Sequence, residues 1–320
     1  ILHWNAIPVF ADIDPVSFNI CPDSVEALIT HRTKAIMAVD IFGQSADVAR
    51  LRKIADRHGL KLLGDTAQAP GSRHGDVFTG TSYDIGGFSL NYHKHIHCGE
   101  GGILVTDDDH LAARLCLIRN HAESVIKNHS PTDLANMIGY NFRMGEIEAA
   151  IASAQLDKLN ARVADRQRVA AELNEGLAGL PGLTTPVVAA GGSHVYYVYG
   201  MTLDLDALGV SRTVLFDALK AEGVPGLMPG YQNTHRLPIF TQQIAYGSQG
   251  HPWSLRTGER TFVYGSGTCP VAEDLHDNRF LGINLCMFQF PPEEVALVIE
   301  AFRKVWSSLG VLKERSFVAA

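Results

Sequence analysis

Leu60-Lys61-Leu62-Leu63-Gly64-Asp65-Thr66-Ala67-Gln68 is the stretch on which the fold turns. A short apolar run ends in a carboxylate, and a glutamine follows three residues later. Such a run, bounded by polar and glycine residues, reads as a buried strand that delivers Asp65 to its carboxyl end. Working outward, Pro8 to Asp12 and Lys34 to Asp40 read as further strands, with amphipathic helices near Asp23 to Thr30 and Ala46 to His58. Strands at Ile85 to Leu90 and Gly102 to Thr106 precede a helix over Asp108 to Arg119. This βαβ rhythm predicts an α/β fold with a mostly parallel sheet covered by helices on both faces. Ligand-binding groups are then expected at the carboxyl ends of the strands.

Beyond this half, apolar positions at Ile147, Ile151, Ala154 and Leu159 predict one long helix from about Arg143 to Leu177. A Pro/Gly-containing loop (Pro181 to Gly192), a strand at His194 to Met201, helices near Thr213 to Glu222 and Pro292 to Ser308, and an irregular stretch around Pro225 to Trp253 follow. They read as a smaller α+β domain. The expected division is residues 1–160 for a ligand-binding large domain and 161–320 for the second, with the long helix linking them.

Composition narrows the function classes. The 320 residues are 46% hydrophobic, enough for a sizeable core, and 27 basic against 34 acidic side chains are scattered rather than clustered. Nothing in that pattern attracts nucleic acid or anionic lipid, and no apolar run approaches the about 20 residues of a membrane helix. Five widely spaced cysteines without a CxxC pair argue against a disulfide framework or structural zinc and fit a reducing cytoplasm. The chain opens at Ile1 without an initiator Met or signal peptide, so an amino-terminal segment is expected to precede it.

Two stretches carry chemistry. Asp65, at a sheet's ligand edge, suits a carboxylate that keeps a pyridine nitrogen protonated, and equally a cap for whatever follows the strand. The second stretch, Gly87-Phe88-Ser89-Leu90-Asn91-Tyr92-His93-Lys94-His95-Ile96-His97-Cys98-Gly99-Glu100-Gly101-Gly102, runs a strand into a polar, glycine-rich turn. A lysine that forms a Schiff base needs burial or neighbouring positive charge to spend time unprotonated. Lys94 could be that lysine or a solvated loop residue. The alternation of His93, His95 and His97 beside Cys98 opens a third reading, a metal site, which requires an extended strand through the turn.

These residues resemble the DegT/DnrJ/EryC1/StrS sugar aminotransferases of fold type I. Three separated motifs match in order: Gly64-Asp65-Thr66-Ala67-Gln68-Ala69; Phe88-Ser89 with Lys94 and Gly99-Glu100-Gly101-Gly102; and Gly139-Tyr140-Asn141-Phe142-Arg143-Met144. Weaker similarity runs from Pro8-Val9-Phe10-Ala11-Asp12-Ile13-Asp14 through Phe42-Gly43-Gln44 to His194-Val195-Tyr196. The resemblance implies pyridoxal 5'-phosphate as cofactor, with Lys94 as the Schiff-base lysine, Asp65 at the pyridine nitrogen, Gln68 near the phenolic oxygen and Ser89 at the phosphate. It implies that Asn141 reaches the phosphate of a neighbouring subunit's cofactor in a homodimer, although Asn141 could equally cap the long helix. The implied reaction moves an amino group from an amino acid, glutamate in this reading, to a nucleotide-linked keto sugar. Tyr231, Asn233 and His235 are candidate sugar contacts, or members of a surface loop.

A branch of the family that carries His in place of the lysine dehydrates keto sugars instead. Counting from Phe88, the lysine position falls on Lys94 and the flanking histidines do not replace it. Two departures stand out: Gly64 where an acidic residue is common, and Asp40 where the family often has His. The family's phosphate-binding glycine/threonine loop and ring-stacking aromatic are expected upstream of Ile1.

Overall fold

A computed structural model of the chain describes residues 1–123, 136–255 and 263–318. It divides into two compact units: Lys34–Arg168 with Val188–Tyr197, and Ile1–Thr33 with Val169–Val187 and Val198 onward. The crossing at Arg168 lies near the expected boundary at 160, but residues 1–33 group with the carboxyl-terminal unit. One tether is Asp12, whose carboxylate accepts the Val271 and Ala272 N–H groups (2.9 and 3.0 Å) at the start of the helix Pro270–Asp274. Pro8 to Asp12 forms no strand; the nearest pairing is a single bridge, Ile13 to Ile20.

The unit that contains Asp65 is built on β1 (Ala35–Val39), β2 (Lys61–Asp65), a short ribbon of β3 (Arg73–His74) and β4 (Val77–Phe78), β5 (Ile85–Ser89) and β6 (Gly102–Val105). Its four-stranded sheet has the order β1-β2-β5-β6. The first three strands are parallel, with Val39 opposite Asp65 and Asp65 opposite Gly87, and β6 runs antiparallel to β5. The helix Val48–His58 forms because Asp47 accepts the Arg50 N–H (3.0 Å) at its start and Gly59, at φ +65°, closes its end. It buries Leu51, Ile54 and Ala55 against β1 and β2. Ile36 and Ala38 point into this core, whereas Met37 and Val39 on the other face of β1 remain 44% and 37% exposed. Covering of both faces, expected from the apolar composition of the strands, therefore does not extend to β1.

The long helix expected over Arg143 to Leu177 is two helices, Glu146–Leu156 and Leu159–Gly176. They are separated by a turn that the Lys158 N–H closes onto the Gln155 carbonyl at 3.0 Å. The second unit is an antiparallel sheet in the order β7 (Leu183–Thr184), β8 (Val198–Leu203), β10 (Phe280–Asn284), β9 (Leu227–Met228). The helices Arg212–Ala221 and Pro292–Ser307 stand close to where the sequence pattern puts them. The strand expected at His194 begins only at Val198, because Tyr196 takes a left-handed φ of 50° that no strand accommodates. Among the described residues no helix is long and apolar enough to cross a membrane, and all five cysteines are free thiols.

Candidate active site

Parallel pairing brings the carboxyl ends of β1, β2 and β5 to one edge, and with them Asp40, Asp65 and Ser89. The Asp40 N–H donates to the Asp65 carbonyl (2.9 Å), and the Thr66 N–H donates to the Gly87 carbonyl (2.8 Å). Asp65 is exposed and its Oδ1 accepts the Ala67 N–H at 3.1 Å. No helix follows it, so the helix-cap reading of Asp65 gives way to a local turn that leaves the carboxylate at the edge. Gln68 is buried, and its Oε1 accepts the Phe42 N–H (2.8 Å), which fixes the orientation of the amide. Ser89 Oγ accepts the Asn91 N–H at 3.2 Å.

Lys94 lies in the turn that follows β5. Its N–H donates to the Asn91 carbonyl (3.0 Å), while Leu90 donates to Gly101 (2.8 Å) and Cys98 to Leu90 (3.1 Å), drawing the stretch into a closed loop. Leu90, Ile96 and Cys98 sit in a cluster with Met144, Ala152 and Leu159. Anchored on both sides, Lys94 is only 9% exposed, which excludes the solvated-loop reading. Its Nζ stands 4.6 Å from the centroid of the Tyr197 ring, within cation–π range.

The neighbouring histidines do not share one face. The residues are in turns rather than a strand, and His93 stacks on Tyr92 with Nδ1 at 3.4 Å from the Tyr197 hydroxyl. His95 is buried, with Nε2 at 2.7 Å from the Val195 carbonyl. Burial pushes the imidazole of His95 down to about 4, aided by the charges of Arg166 and Lys94. His93 is lowered for the same reasons, burial first and Lys94 next. Both rings are therefore neutral at neutral pH. Among the described residues no group of three or more His, Cys, Asp or Glu side chains is placed to hold a metal ion.

Asn141 belongs to the same unit but pairs in an isolated bridge with Asn120, and it is exposed. The helix behind it starts at Glu146 with Gly145 in the capping position, so Asn141 does not cap it. Tyr231, Asn233 and His235 belong to the second unit. Tyr231 is exposed, whereas Asn233 and His235 are buried rather than part of a surface loop. His235 Nε2 lies 2.9 Å from Glu273 Oε1, and Arg236 donates to Glu273 Oε2 (2.8 Å). Among the described residues the buried Nδ2 of Asn233 has no hydrogen-bond partner.

Two elements of the site went unread in the sequence as participants. Tyr197 reaches Lys94 because residues 194–197 are pinned within the unit: Val195 donates to the Gly43 carbonyl (2.9 Å), and Gln167 Nε2 donates to the His194 carbonyl (3.1 Å). Gly43 has no room for a side chain, since a Cβ there would lie 2.8 Å from the Tyr196 nitrogen. The other element is the pair Asp40 and Tyr83, buried behind β2. Its sequence signals were the departures at Asp40 and Gly64.

The DegT/DnrJ/EryC1/StrS aminotransferase family profile matches residues 1–276. The chain is 35% identical over 312 residues to dTDP-3-amino-3,4,6-trideoxy-alpha-D-glucose transaminase of Micromonospora megalomicea subsp. nigra, covering 95% of this chain and 74% of that protein. It is 36% identical over 324 residues to L-glutamine:2-deoxy-scyllo-inosose aminotransferase of Streptomyces fradiae, covering 95% and 72%. Among solved structures, DesI in the presence of its TDP-sugar product superposes with a TM-score of 0.76 at 28% identity, covering 99% of this chain and 73% of that one. The chain spans between 61% and 76% of the lengths of eight curated relatives. Its α/β architecture is that of the fold type I aminotransferases. With a profile match over most of its length and relatives above 30% identity, the chain belongs to the DegT/DnrJ/EryC1/StrS aminotransferase family.

Proposed function

We propose that this protein is a pyridoxal-phosphate-dependent transaminase that moves an amino group from an amino-acid donor to a keto sugar, with Lys94 as the Schiff-base lysine. The observation that carries the reading is the burial of Lys94 in the closed turn after β5, against the Tyr197 ring. The residues fit the cofactor by their chemistry. Asp65 offers a carboxylate at the sheet edge for the pyridine nitrogen, and the orientation of Gln68 is held by Phe42. Ser89, at the end of β5, supplies a hydroxyl for the phosphate.

When bound, pyridoxal phosphate withdraws electrons from the carbon whose proton is moved and stores the amino group between half-reactions. Lys94 Nζ would carry the proton from the donor's α-carbon to C4′ of the bound cofactor, and the reverse transfer, from C4′ to the carbon that was the ketone, would complete the second half-reaction. Asp65 holds the proton on the pyridine nitrogen throughout. The neutral imidazoles of His93 and His95 avoid adding positive charge beside Lys94.

The finer assignments extend the same proposal. The donor is glutamate and the acceptor a nucleotide-linked keto sugar, in keeping with the transaminase and TDP-sugar names of two relatives; the inosose aminotransferase makes glutamine and a cyclitol ketone the alternatives to test. Asn141 serves the phosphate of a partner subunit in a homodimer. Of the three sugar candidates, Asn233 retains a buried donor, and Tyr231 is exposed. Free thiols throughout agree with a cytoplasmic enzyme. The dehydratase reading fares less well: His95, the buried histidine nearest in sequence, spends Nε2 on a backbone carbonyl.

Incubation with pyridoxal phosphate, borohydride reduction and peptide mapping test the proposal. The label is expected on Lys94, and the unreduced chromophore is expected to bleach with glutamate. A label elsewhere, or none, overturns the assignment; bound cofactor without linkage to Lys94 favours the dehydratase.

A further inference from the structure

The two departures from the family pattern, Gly64 and Asp40, are parts of one arrangement. A Cβ at Gly64 would lie 2.1 Å from a Tyr83 ring carbon, so the Tyr83 ring occupies the space a side chain at position 64 would need. The phenol so placed donates to Asp40 Oδ1 at 2.7 Å. Asp40 is completely buried and accepts two further hydrogen bonds, from the Ala46 N–H to Oδ1 (2.9 Å) and from Thr66 Oγ1 to Oδ2 (2.7 Å). All three donors are neutral. Asp40 also holds the carboxyl side of Asp65 twice: its N–H donates to the Asp65 carbonyl (2.9 Å), and its carboxylate holds the side chain of the next residue, Thr66.

Resting on the proposed cofactor role of Asp65, we infer that Asp40 is a positioning residue: it clamps the end of β2 that presents Asp65, and its buried charge strengthens the hold on the proton at the cofactor's pyridine nitrogen. A negative charge in a poorly solvated position acts over a longer range than one in water. It favours a cationic ring in front of Asp65 and costs little reorganisation, because its donors are already aligned. Burial pushes the Asp40 carboxyl up to about 6, the Tyr83, Ala46 and Thr66 hydrogen bonds oppose that rise, and the Asp65 charge adds to it. Tyr83 and Asp65 are the titratable groups that face it. The charge is therefore present above about pH 6 and lost below it.

The test uses pyridoxal phosphate labelled with 15N in the ring, bound to wild-type protein, Asp40→Asn and Tyr83→Phe. Asp40→Asn keeps the shape and loses the charge. Its pyridine nitrogen is expected to lose its proton about one pH unit earlier than wild type on the alkaline side, with the two signals coinciding near pH 5, where Asp40 is neutral in both. Tyr83→Phe keeps the ring over Gly64 and removes one donor. It should raise the pH at which the wild-type advantage appears by about one unit. Identical 15N titrations in wild type and Asp40→Asn, with Lys94 labelled by borohydride in both, overturn the inference and leave the transaminase reading standing. Absence of label on Lys94 in wild type overturns both. If Asp40→Asn does not fold, an unchanged profile in Tyr83→Phe is sufficient to overturn the inference.

Discussion

Two polar clusters containing histidine, one in each unit, differ in what their groups are bound to. Around Lys94, backbone hydrogen bonds and the Ser89–Asn91 contact shape a closed loop in which an amine meets an aromatic face. Around Glu273, a carboxylate collects the Gly267 and Cys269 N–H groups, the Ser266 hydroxyl, His235 and Arg236. Burial would raise the Glu273 carboxyl, but those hydrogen bonds outweigh it and hold it well below the usual carboxylate range. A buried polar cluster is thus not a site by virtue of being polar and buried. The first leaves a buried amine against an aromatic ring, whereas the second has spent its carboxylate on holding loops together.

Substituting Lys94 should produce the largest effect. Lys94→Ala is expected to lower glutamate-dependent transamination by at least about 10³-fold, the scale of a lost proton-transfer group, with the fold intact by circular dichroism. A variant that retained most of the rate would break the contrast outright.

Glu273→Gln should do the reverse, costing stability and sparing chemistry. Loss of charge-assisted hydrogen bonds at a buried acceptor is expected to cost about 3 kcal/mol in urea unfolding at neutral pH. The sign with pH follows from a depressed carboxyl: the contribution is fully present above the ordinary value of 4.5 and fades as pH falls below it. Wild type should therefore lose its advantage over Glu273→Gln in acid. If turnover per folded molecule fell instead, the second cluster would belong to the site.

Gly64→Ala probes the packing behind Asp65. The new methyl meets the Tyr83 ring, and overpacking of this kind is expected to cost about 2 kcal/mol in thermal or urea unfolding. Tyr83→Ala costs stability of its own through the cavity it leaves, but the two losses should be non-additive, the double variant losing less than their sum because the clash is gone.

The smallest effect is expected at Tyr197. Tyr197→Phe keeps the ring and should change the rate by less than about 2-fold, while Tyr197→Leu removes the aromatic face and should cost roughly 1 kcal/mol, or about 5-fold. Equal losses in both variants would point to the hydroxyl and its contact with His93 rather than to the ring.

Local rules made several elements legible. Asp47 and Gly59 bracket a helix whose apolar spacing marks its buried face, and the apolar runs at β1, β2 and β5 mark the parallel sheet, because caps and periodicity act within a few residues. Lys94, Asp65, Gln68, Ser89 and Asn141 were nominated by motifs that stand in a fixed order along the chain. The break between the helices Glu146–Leu156 and Leu159–Gly176 was not legible, since Asp157 and Lys158 are ordinary helix residues. Nor was the end of the expected strand at Tyr196, where contacts with Gly43 impose a backbone that its own sequence would not choose.

By itself, the sequence determined the α/β class and the strand that carries Asp65, because these depend on local pattern and short spacing, and it nominated Lys94 by a motif. Only the tertiary structure decided that Lys94 is buried against Tyr197, more than a hundred positions away, and that Gly64, Tyr83 and Asp40 act as one group. The reason is physical. Burial, ring contact and the balance of hydrogen bonds at a carboxylate are properties of a three-dimensional neighbourhood assembled from distant segments, and those properties separate a reactive cluster from a structural one.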